Sequence, residues 1–197
     1  MPRITPIPVR EWPPEMRQAL AALTPPVVRH PFGPREGRPK ALNALGTLAH
    51  HPELTRAFNV FNGHVLFASS LAPRERELLV LRLAVVRGCE YEWLQHVVLA
   101  AESGLEPDEV ERVKAGPSDP GWRPSDRALL RAVDELIGDA MVSDETWGQL
   151  VAELDTHQLM DLVFTVGAYE TLAMAFRSFG VALDADLAPD ALRSSDS

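Results

Sequence analysis

From Lys40 onward, the hydrophobic positions of the chain repeat every three to four residues, which is the period of an α-helix. Residues 78–86 are apolar on most sides and carry Arg82 as their only charge, so they predict an interior helix. Gly88 interrupts this pattern, and a second helix is expected to begin at or near Cys89. Because the chain contains no strand pattern, we predict an all-α fold, a single-domain helical bundle.

Proline, glycine and capping residues set the limits of the other predicted helices. These helices cover residues 15–23, 41–50, 53–68, 106–114, 126–137, 144–154 and 156–179. Ser125 or Asp126 is expected to cap the third helix from the end, and Ser143 and Thr156 are the expected caps of the last two. The last helix is nearly all apolar, so it should pack centrally against residues 77–104.

Proline is concentrated near the N-terminus, where ten of the chain's 17 prolines lie within the first 39 positions. Proline disrupts helix interiors, so residues 1–39 predict an extended arm with one short helix. Such an arm could wrap its own domain or a neighbouring subunit. Residues 40–190 are predicted to form the helical domain, and residues 191–197 a polar tail.

Composition and charge exclude several classes of function. The 197 residues, of which 46% are hydrophobic, can bury one substantial core. A formal net charge of −9 without a dense basic patch argues against nucleic acid or a membrane surface as partner. With neither an apolar signal segment nor an apolar run of membrane-spanning length, the chain is expected to be cytoplasmic. A single cysteine excludes an intrachain disulfide.

Chemically active side chains are concentrated in residues 77–104. Cys89, Glu92 and His96 are spaced i, i+3 and i+7, which places them within about 60° of one another around a helix. A helix N-terminus at Cys89 would favour its thiolate. Glu92 could hold a ring N–H of His96 or share a proton with it, and Glu77 is aligned toward the same apolar side. The alternative is a purely structural Glu92–His96 hydrogen bond.

Four further residues are candidates for the same chemistry. His64 lies on an apolar helix face near Phe61 and is expected either to be a core histidine with one hydrogen bond or to line a pocket. Tyr169 and Glu170 are the polar candidates of the last helix. Arg82 could stabilise negative charge that develops during a reaction.

The stretch around these residues resembles the carboxymuconolactone decarboxylase and alkylhydroperoxidase D superfamily. Glu77, Cys89 and His96 match three positions of the signature E-x11-C-x2-C-x3-H, and Glu92 replaces its second cysteine. The sequence REL at 76–78, and a glutamate four residues before the histidine, agree better with the decarboxylase branch.

The resemblance extends over about residues 54–182. It implies an all-helical fold of the alkylhydroperoxidase D-like type, no bound cofactor, a homotrimer or hexamer, and a site near Glu77, Glu92 and His96.

The replacement of the second cysteine favours proton-transfer chemistry. Peroxide reduction requires a second thiol to resolve the sulfenic acid, whereas proton transfer needs only an acid and a base. We therefore predict a cofactor-independent lyase of decarboxylase type, acting on a small carboxylated or lactone-like metabolite. His96 would be the principal base or acid, Glu92 its partner and Glu77 a second proton carrier or orienter, while Cys89 would form part of the pocket wall.

Two alternatives stay open at this point. One is a thiol-dependent antioxidant activity through Cys89, with an external thiol closing the cycle. The other is a non-catalytic helical module for binding or assembly, in which the polar stripe is structural. A metal site is not expected, because no second histidine lies at ligand spacing from the stripe.

Overall fold

The computed structural model describes residues 1–31 and 39–187, and within these residues the chain forms nine α-helices and no strand. The helices are α1 Met16–Ala21, α2 Leu42–Leu48, α3 Pro52–Gly63, α4 Pro73–Arg87, α5 Glu90–Glu102, α6 Pro107–Ala115, α7 Pro124–Asp139, α8 Asp144–Leu150 and α9 Thr156–Phe179. The predicted all-α class is confirmed. The predicted polar tail, residues 191–197, lies outside the described residues.

The chain divides into two compact units. The first comprises the described parts of Met1–Ala68 and Met174–Ser197, and the second comprises Ser69–Ala173. The candidate residues from Glu77 to Tyr169 belong to the second unit, whereas His64 belongs to the first.

In the first unit, the N-terminal arm lies against its own chain. The backbone N–H of Ile7 donates to the carbonyl of Gly46 in α2 (3.0 Å), and that of Arg3 donates to the carbonyl of Phe179 (2.8 Å). A side chain at Gly46 would come within 2.6 Å of the Ile7 carbonyl oxygen, so the arm's close approach requires glycine there. The described part of the arm thus makes backbone hydrogen bonds within its own chain.

In the second unit, α4 is the central helix, with α5 and α7 packed against it. Burial of α4 on nearly all sides follows from its sequence, because a helix that is apolar all round cannot face water. Its fully buried positions include two charged residues beside the apolar ones; they are Arg76, Glu77, Leu78, Leu79, Val80, Leu81, Leu83 and Ala84. Burying charged groups is costly unless they are paired, so Arg76 and Glu77 are the residues of α4 that require explanation.

The predicted cap of α7 is wrong. Helix α7 begins at Pro124, which suits a first helical position, and Arg123 rather than Ser125 or Asp126 is its N-cap. The Asp126 carboxylate instead accepts hydrogen bonds from Arg74 (2.8 Å) and Arg123 (2.9 Å). Acidic groups are favoured inside a first turn as well as at its cap, and the sequence alone does not distinguish these positions.

The predicted cap of α8 is confirmed, whereas the predicted cap of α9 is wrong by one residue. The hydroxyl of Ser143 accepts a hydrogen bond from the backbone N–H of Thr146, as expected for the N-cap of α8. At α9 the capping residue is Asp155, whose carboxylate accepts from the backbone N–H of Gln158 (2.9 Å), and not Thr156 as predicted. The Gln158 side chain accepts in turn from the Asp155 N–H, which completes a reciprocal cap.

Helix α9 is long and apolar enough to cross a membrane by length and composition, contrary to the expectation that no apolar run reaches that length. The carboxylates of Asp161 and Glu170 interrupt the apolar run, but the mean hydropathy of the helix stays high enough to meet the criterion for a membrane span. A core helix of a globular protein meets the same criterion, and 44% of the most apolar window of α9 is buried.

The exposed side of α9 carries an uncharged row of residues, which we call the α9 stripe: Met160, Val163, Phe164, Gly167 and Thr171.

Candidate active site

The turn between α4 and α5 determines where Cys89 lies. Gly88 ends α4 in the left-handed region, with φ of 59°, a conformation that glycine adopts without the penalty of a Cβ atom. Cys89 follows as the N-cap of α5 and is 2% exposed. The prediction that Cys89 lies at a helix N-terminus is therefore confirmed.

His96 is held by Glu77, which reaches across from α4. The His96 Nδ1 lies 2.7 Å from Glu77 Oε2, and the other oxygen of Glu77 accepts from Arg76 Nε (2.9 Å) and Nη2 (2.9 Å). The three side chains are almost completely buried, with exposures of 2% for Arg76, 0% for Glu77 and 8% for His96. They form a relay of guanidinium, carboxylate and imidazole.

The charge state of Glu77 decides the tautomer of His96. Burial by itself would raise the pKa of Glu77, but His96 and Arg76 together hold that pKa below its ordinary value. An ionised carboxylate can only accept, so the His96 Nδ1 must carry the proton in the hydrogen bond. When the ring is neutral, its Nε2 keeps a free lone pair and can serve as a base.

The predicted pairing of Glu92 with His96 is wrong, because the carboxylate on the imidazole comes from α4 and not from the preceding turn of α5. Glu92 is 2% exposed, and neither of its carboxylate oxygens makes a well-formed hydrogen bond within the described residues. The thiol of Cys89, a weak donor, is the nearby group that favours its ionised form.

Burial raises the pKa of Glu92 to about 8, and the charge of Glu170 contributes to the increase, while the Cys89 thiol opposes it. At neutral pH the Glu92 carboxyl is therefore mostly protonated. A neutral carboxyl group and an imidazole with a free lone pair on one helix form an acid and a base of the kind that enzymes use together.

Tyr169 completes the cluster from α9. Its ring packs edge-on against the His96 ring, with centroids 4.9 Å apart and planes at 87°. Burial raises the pKa of Tyr169, and the carboxylates of Glu77 and Glu92 raise it further, so the phenol stays protonated. The structure thus brings together five of the predicted residues, namely Glu77, Cys89, Glu92, His96 and Tyr169.

Arg82 does not join this cluster. Its guanidinium pairs with Asp134 through Nε (2.7 Å) and Nη2 (2.9 Å), and it donates to the carbonyl of Val113 (3.1 Å). The predicted role of Arg82 in stabilising negative charge therefore finds no support in its contacts.

His64 is exposed, so the prediction of a core histidine is wrong. The helical turn changes to π geometry over His64–Ala68, which shifts the positions that face the core.

Two arginines lie in or near the cluster without a local sequence pattern that points to them. Arg76 directly precedes Glu77, and adjacent helix residues normally point in different directions. Arg87 ends α4 and binds Glu170 with two nearly equal contacts, from Nε to Oε1 (2.9 Å) and to Oε2 (2.8 Å). Glu170 itself was among the sequence candidates.

A cavity of about 220 Å³ lies elsewhere in the second unit, beside Glu75, Asp126 and Glu153, and it includes none of the clustered residues. Because the clustered residues are nearly completely buried, a ligand can reach them only if neighbouring side chains move. Within the described residues, no group of three or more histidine, cysteine or acidic side chains could hold a metal ion.

Comparison with known families agrees with the motif. Residues 52–135 match the model of the Carboxymuconolactone decarboxylase family. This part of the chain is thus similar to the carboxymuconolactone decarboxylase family, which supports the resemblance inferred from the sequence. No curated protein sequence matches the chain.

Solved structures of the same fold cover most of the chain. A protein of unknown function from Agrobacterium tumefaciens, with a suggested role in antioxidant defence as AhpD, is 22% identical; the match covers 70% of this chain and 94% of that protein, with a TM-score of 0.65. An uncharacterised peroxidase-related protein from Ralstonia eutropha is 18% identical, with coverages of 83% and 96% and a TM-score of 0.66.

The debrominase Bmp8 is 12% identical, with coverages of 93% and 93% and a TM-score of 0.72. A variant of that debrominase with one cysteine replaced by alanine has been solved with 2,3,4-tribromopyrrole. At identities this low, the likeness establishes the fold alone.

Proposed function

We propose that this protein is a cofactor-independent enzyme of decarboxylase type that moves protons on a small carboxylated or lactone-like metabolite. The observation that carries the proposal is the buried Glu92, whose raised pKa of about 8 makes it an acid at neutral pH, one helical turn from His96 on α5. Sites of general acid–base catalysis are built from pairs whose surroundings push their pKa values apart.

In this reaction the substrate carboxylate leaves as carbon dioxide, and its bonding electrons pass into an enolate. Glu92 donates its proton to the carbon that has lost the carboxylate. The Nε2 of His96 then takes up one proton from solvent and passes it to Glu92, so that the acid is restored and each turnover takes up one proton. Glu77 and Arg76 fix the orientation of His96, and Tyr169 packs against its ring.

The direct test is to incubate the protein with carboxymuconolactone and to measure the release of carbon dioxide together with the loss of the substrate's ultraviolet absorbance. Release that depends on the protein and saturates with substrate would support the proposal. If a panel of related β-carboxylated lactones also gives no release, decarboxylation is excluded.

A thiol-dependent reaction is the second candidate, and the observation that favours it is the position of Cys89 at the N-cap of α5 beside Glu92. A helix N-terminus favours a thiolate, because its unpaired N–H groups stabilise the negative charge. The chain has one cysteine, so reduction of a hydroperoxide or removal of a halogen would consume an external thiol as reductant. The brominated ligand of the debrominase variant makes halogenated heteroaromatic compounds suitable probes.

Replacing Cys89 with serine is expected to separate the two candidates. Because proton transfer by Glu92 and His96 does not use the thiol, the variant should keep carbon dioxide release within about fivefold of the wild type. Peroxide consumption and bromide release in the presence of dithiothreitol should be measured in parallel. Loss of those two activities alone would favour thiol chemistry, whereas equal loss of all activities would contradict the assigned role of Cys89 as a wall residue.

We also propose that the chain assembles as a homotrimer or hexamer in the cytoplasm, as its resemblance to the superfamily implies. The support for assembly is the α9 stripe, in which Met160 is 56% exposed and Phe164 is 55% exposed without any charged neighbour in the row. Exposed apolar patches bounded by polar residues commonly mark protein–protein contacts.

Replacing Phe164 with glutamate is therefore expected to raise the dissociation constant of the assembly at least about tenfold, since burial of one phenylalanine contributes about 1.5–3 kcal/mol. Light scattering over a range of protein concentrations would measure this. Met141, which is 68% exposed and outside the α9 stripe, offers the matched control. An unchanged mass for the Phe164 variant, or the same change in the Met141→Glu variant, would contradict the prediction.

A further inference from the structure

The ion pair between Arg87 and Glu170 has the geometry of a carboxylate-binding site. Both carboxylate oxygens of Glu170 accept from Arg87 Nε, and Arg87 Nη2 lies 2.7 Å from Oε1. The Nη2 group also donates to the carbonyl of Ile137 (3.3 Å), which fixes the plane of the guanidinium. Planar forks of this kind are how arginine recognises carboxylates.

This pair lies at the edge of the candidate active site. The charge of Glu170 acts on the Glu92 carboxyl group, and Arg87 precedes Cys89 by two residues. The Arg87 side chain is 34% exposed and that of Glu170 is 22% exposed, so water and small solutes can reach both.

The other arginines of α4 near the cluster are committed elsewhere. Arg76 is 2% exposed and is paired with Glu77, which is completely buried. Arg82 is paired with Asp134 and the end of α6. Arg87 is therefore the arginine of this helix that combines proximity to the cluster with an accessible guanidinium.

We infer that Arg87 binds a carboxylate of the substrate other than the one that leaves, and that Glu170 is an internal carboxylate which the substrate displaces. The inference rests on the proposed function for the expectation of a carboxylated substrate. Since a half-exposed ion pair contributes little to stability, an incoming carboxylate that makes the same two hydrogen bonds can replace Glu170, which then turns toward water. Glu170 acts as a competitor, so its charge weakens substrate binding while that of Arg87 strengthens it.

Opposite effects of the two partners are the signature that tests this inference. Isothermal titration calorimetry of the full chain with benzoate, and with benzamide as the uncharged isostere, supplies the measurement. Replacing Glu170 with glutamine is expected to lower the Kd for benzoate about fivefold or more, and replacing Arg87 with methionine to raise it about tenfold or more. The Kd for benzamide should change by less than about twofold in either variant.

Arg131→Met is the matched control, because Arg131 is 37% exposed and pairs with Glu145, another glutamate on a different helix. It should bind benzoate as the wild type does. Arg87→Lys keeps the charge without the fork and should give an intermediate Kd. Circular dichroism melts of each variant would establish that it is folded under the conditions of titration.

Several results would overturn the inference. They are an unchanged benzoate Kd in Arg87→Met, weaker benzoate binding in Glu170→Gln, and no preference for benzoate over benzamide in both the wild type and Glu170→Gln. These titrations require no turnover, so their failure is distinct from that of the proposed function, which fails if no carboxylated lactone releases carbon dioxide.

Discussion

Replacing His96 with alanine is expected to lower kcat/KM by a factor of about 10² to 10⁴, the usual contribution of a general acid or base. The effect follows from the geometry of the relay. The Nδ1–H of His96 donates to ionised Glu77, with 2.7 Å between Nδ1 and Oε2. This leaves Nε2 as the atom that exchanges protons. Initial rates of carbon dioxide release over a range of substrate concentrations would give kcat and KM separately. The loss should fall mainly on kcat, because a base acts in the transition state.

His96→Asn is the matched variant for this experiment. An asparagine amide can donate to Glu77 from nearly the position of the Nδ1 group, so the buried carboxylate and Arg76 keep their partner. It cannot act as a base at neutral pH. Equal loss in the alanine and asparagine variants would therefore assign the loss to proton transfer, whereas activity of the asparagine variant within threefold of the wild type would contradict this role.

Local features of the site were predictable because they depend on neighbours in the sequence. Gly88 interrupts an apolar helical pattern, and the position of Cys89 at a new N-terminus follows from that break. The burial of Glu92 and His96 also follows from the apolar residues around them at helical spacing.

The pairing of charges was not predictable from local pattern. Glu77 and His96 are 19 residues apart, and Arg87 and Glu170 are 83 residues apart. Which carboxylate meets the imidazole depends on how α4 rotates against α5, and helical periodicity specifies only the buried face and not the partner across the interface. The spacing on α5 suggests a Glu92–His96 pair, but the His96 imidazole pairs instead with Glu77 from the facing helix α4.

The error at His64 has a different physical origin. Extrapolating a period of 3.6 residues from Phe61 assumes an uninterrupted α-helix, but the turn His64–Ala68 is π-helical and changes the register. Deviations of this type depend on side-chain packing around the turn, which the sequence pattern does not encode.

Replacing Glu92 with glutamine is expected to remove a large pH dependence of stability as well as the acid of the reaction. Folding raises the pKa of Glu92 from its ordinary 4.5 to about 8, chiefly by burial. The folded state therefore holds a proton between these pH values that the unfolded state has released. Stability from this group is complete below pH 4.5 and is lost progressively as the pH rises toward 8.

The loss amounts to about 1.4 kcal/mol for each pH unit and up to about 5 kcal/mol over the whole interval. Urea denaturation of the wild type and of Glu92→Gln at pH 5, 6.5 and 8 would measure it as a difference between the two proteins. The variant should gain stability relative to the wild type as the pH rises, whatever constant offset the buried amide introduces. Groups that titrate alike in both proteins cancel in this difference.

Glu75→Gln is the matched control for the Glu92 variant. Glu75 is a carboxylate in the first turn of α4 that accepts from the backbone N–H of Ala72 (2.8 Å) and is more accessible to water than Glu92. Its difference from the wild type gives the baseline for replacing an accessible carboxylate with an amide, and the difference for Glu92→Gln should rise more steeply with pH than this baseline. A flat difference for Glu92→Gln would mean that Glu92 ionises normally in the folded protein. It would then be a carboxylate at neutral pH, unable to donate the proton that decarboxylation requires, and the acid–base assignment of the site would have to be reversed.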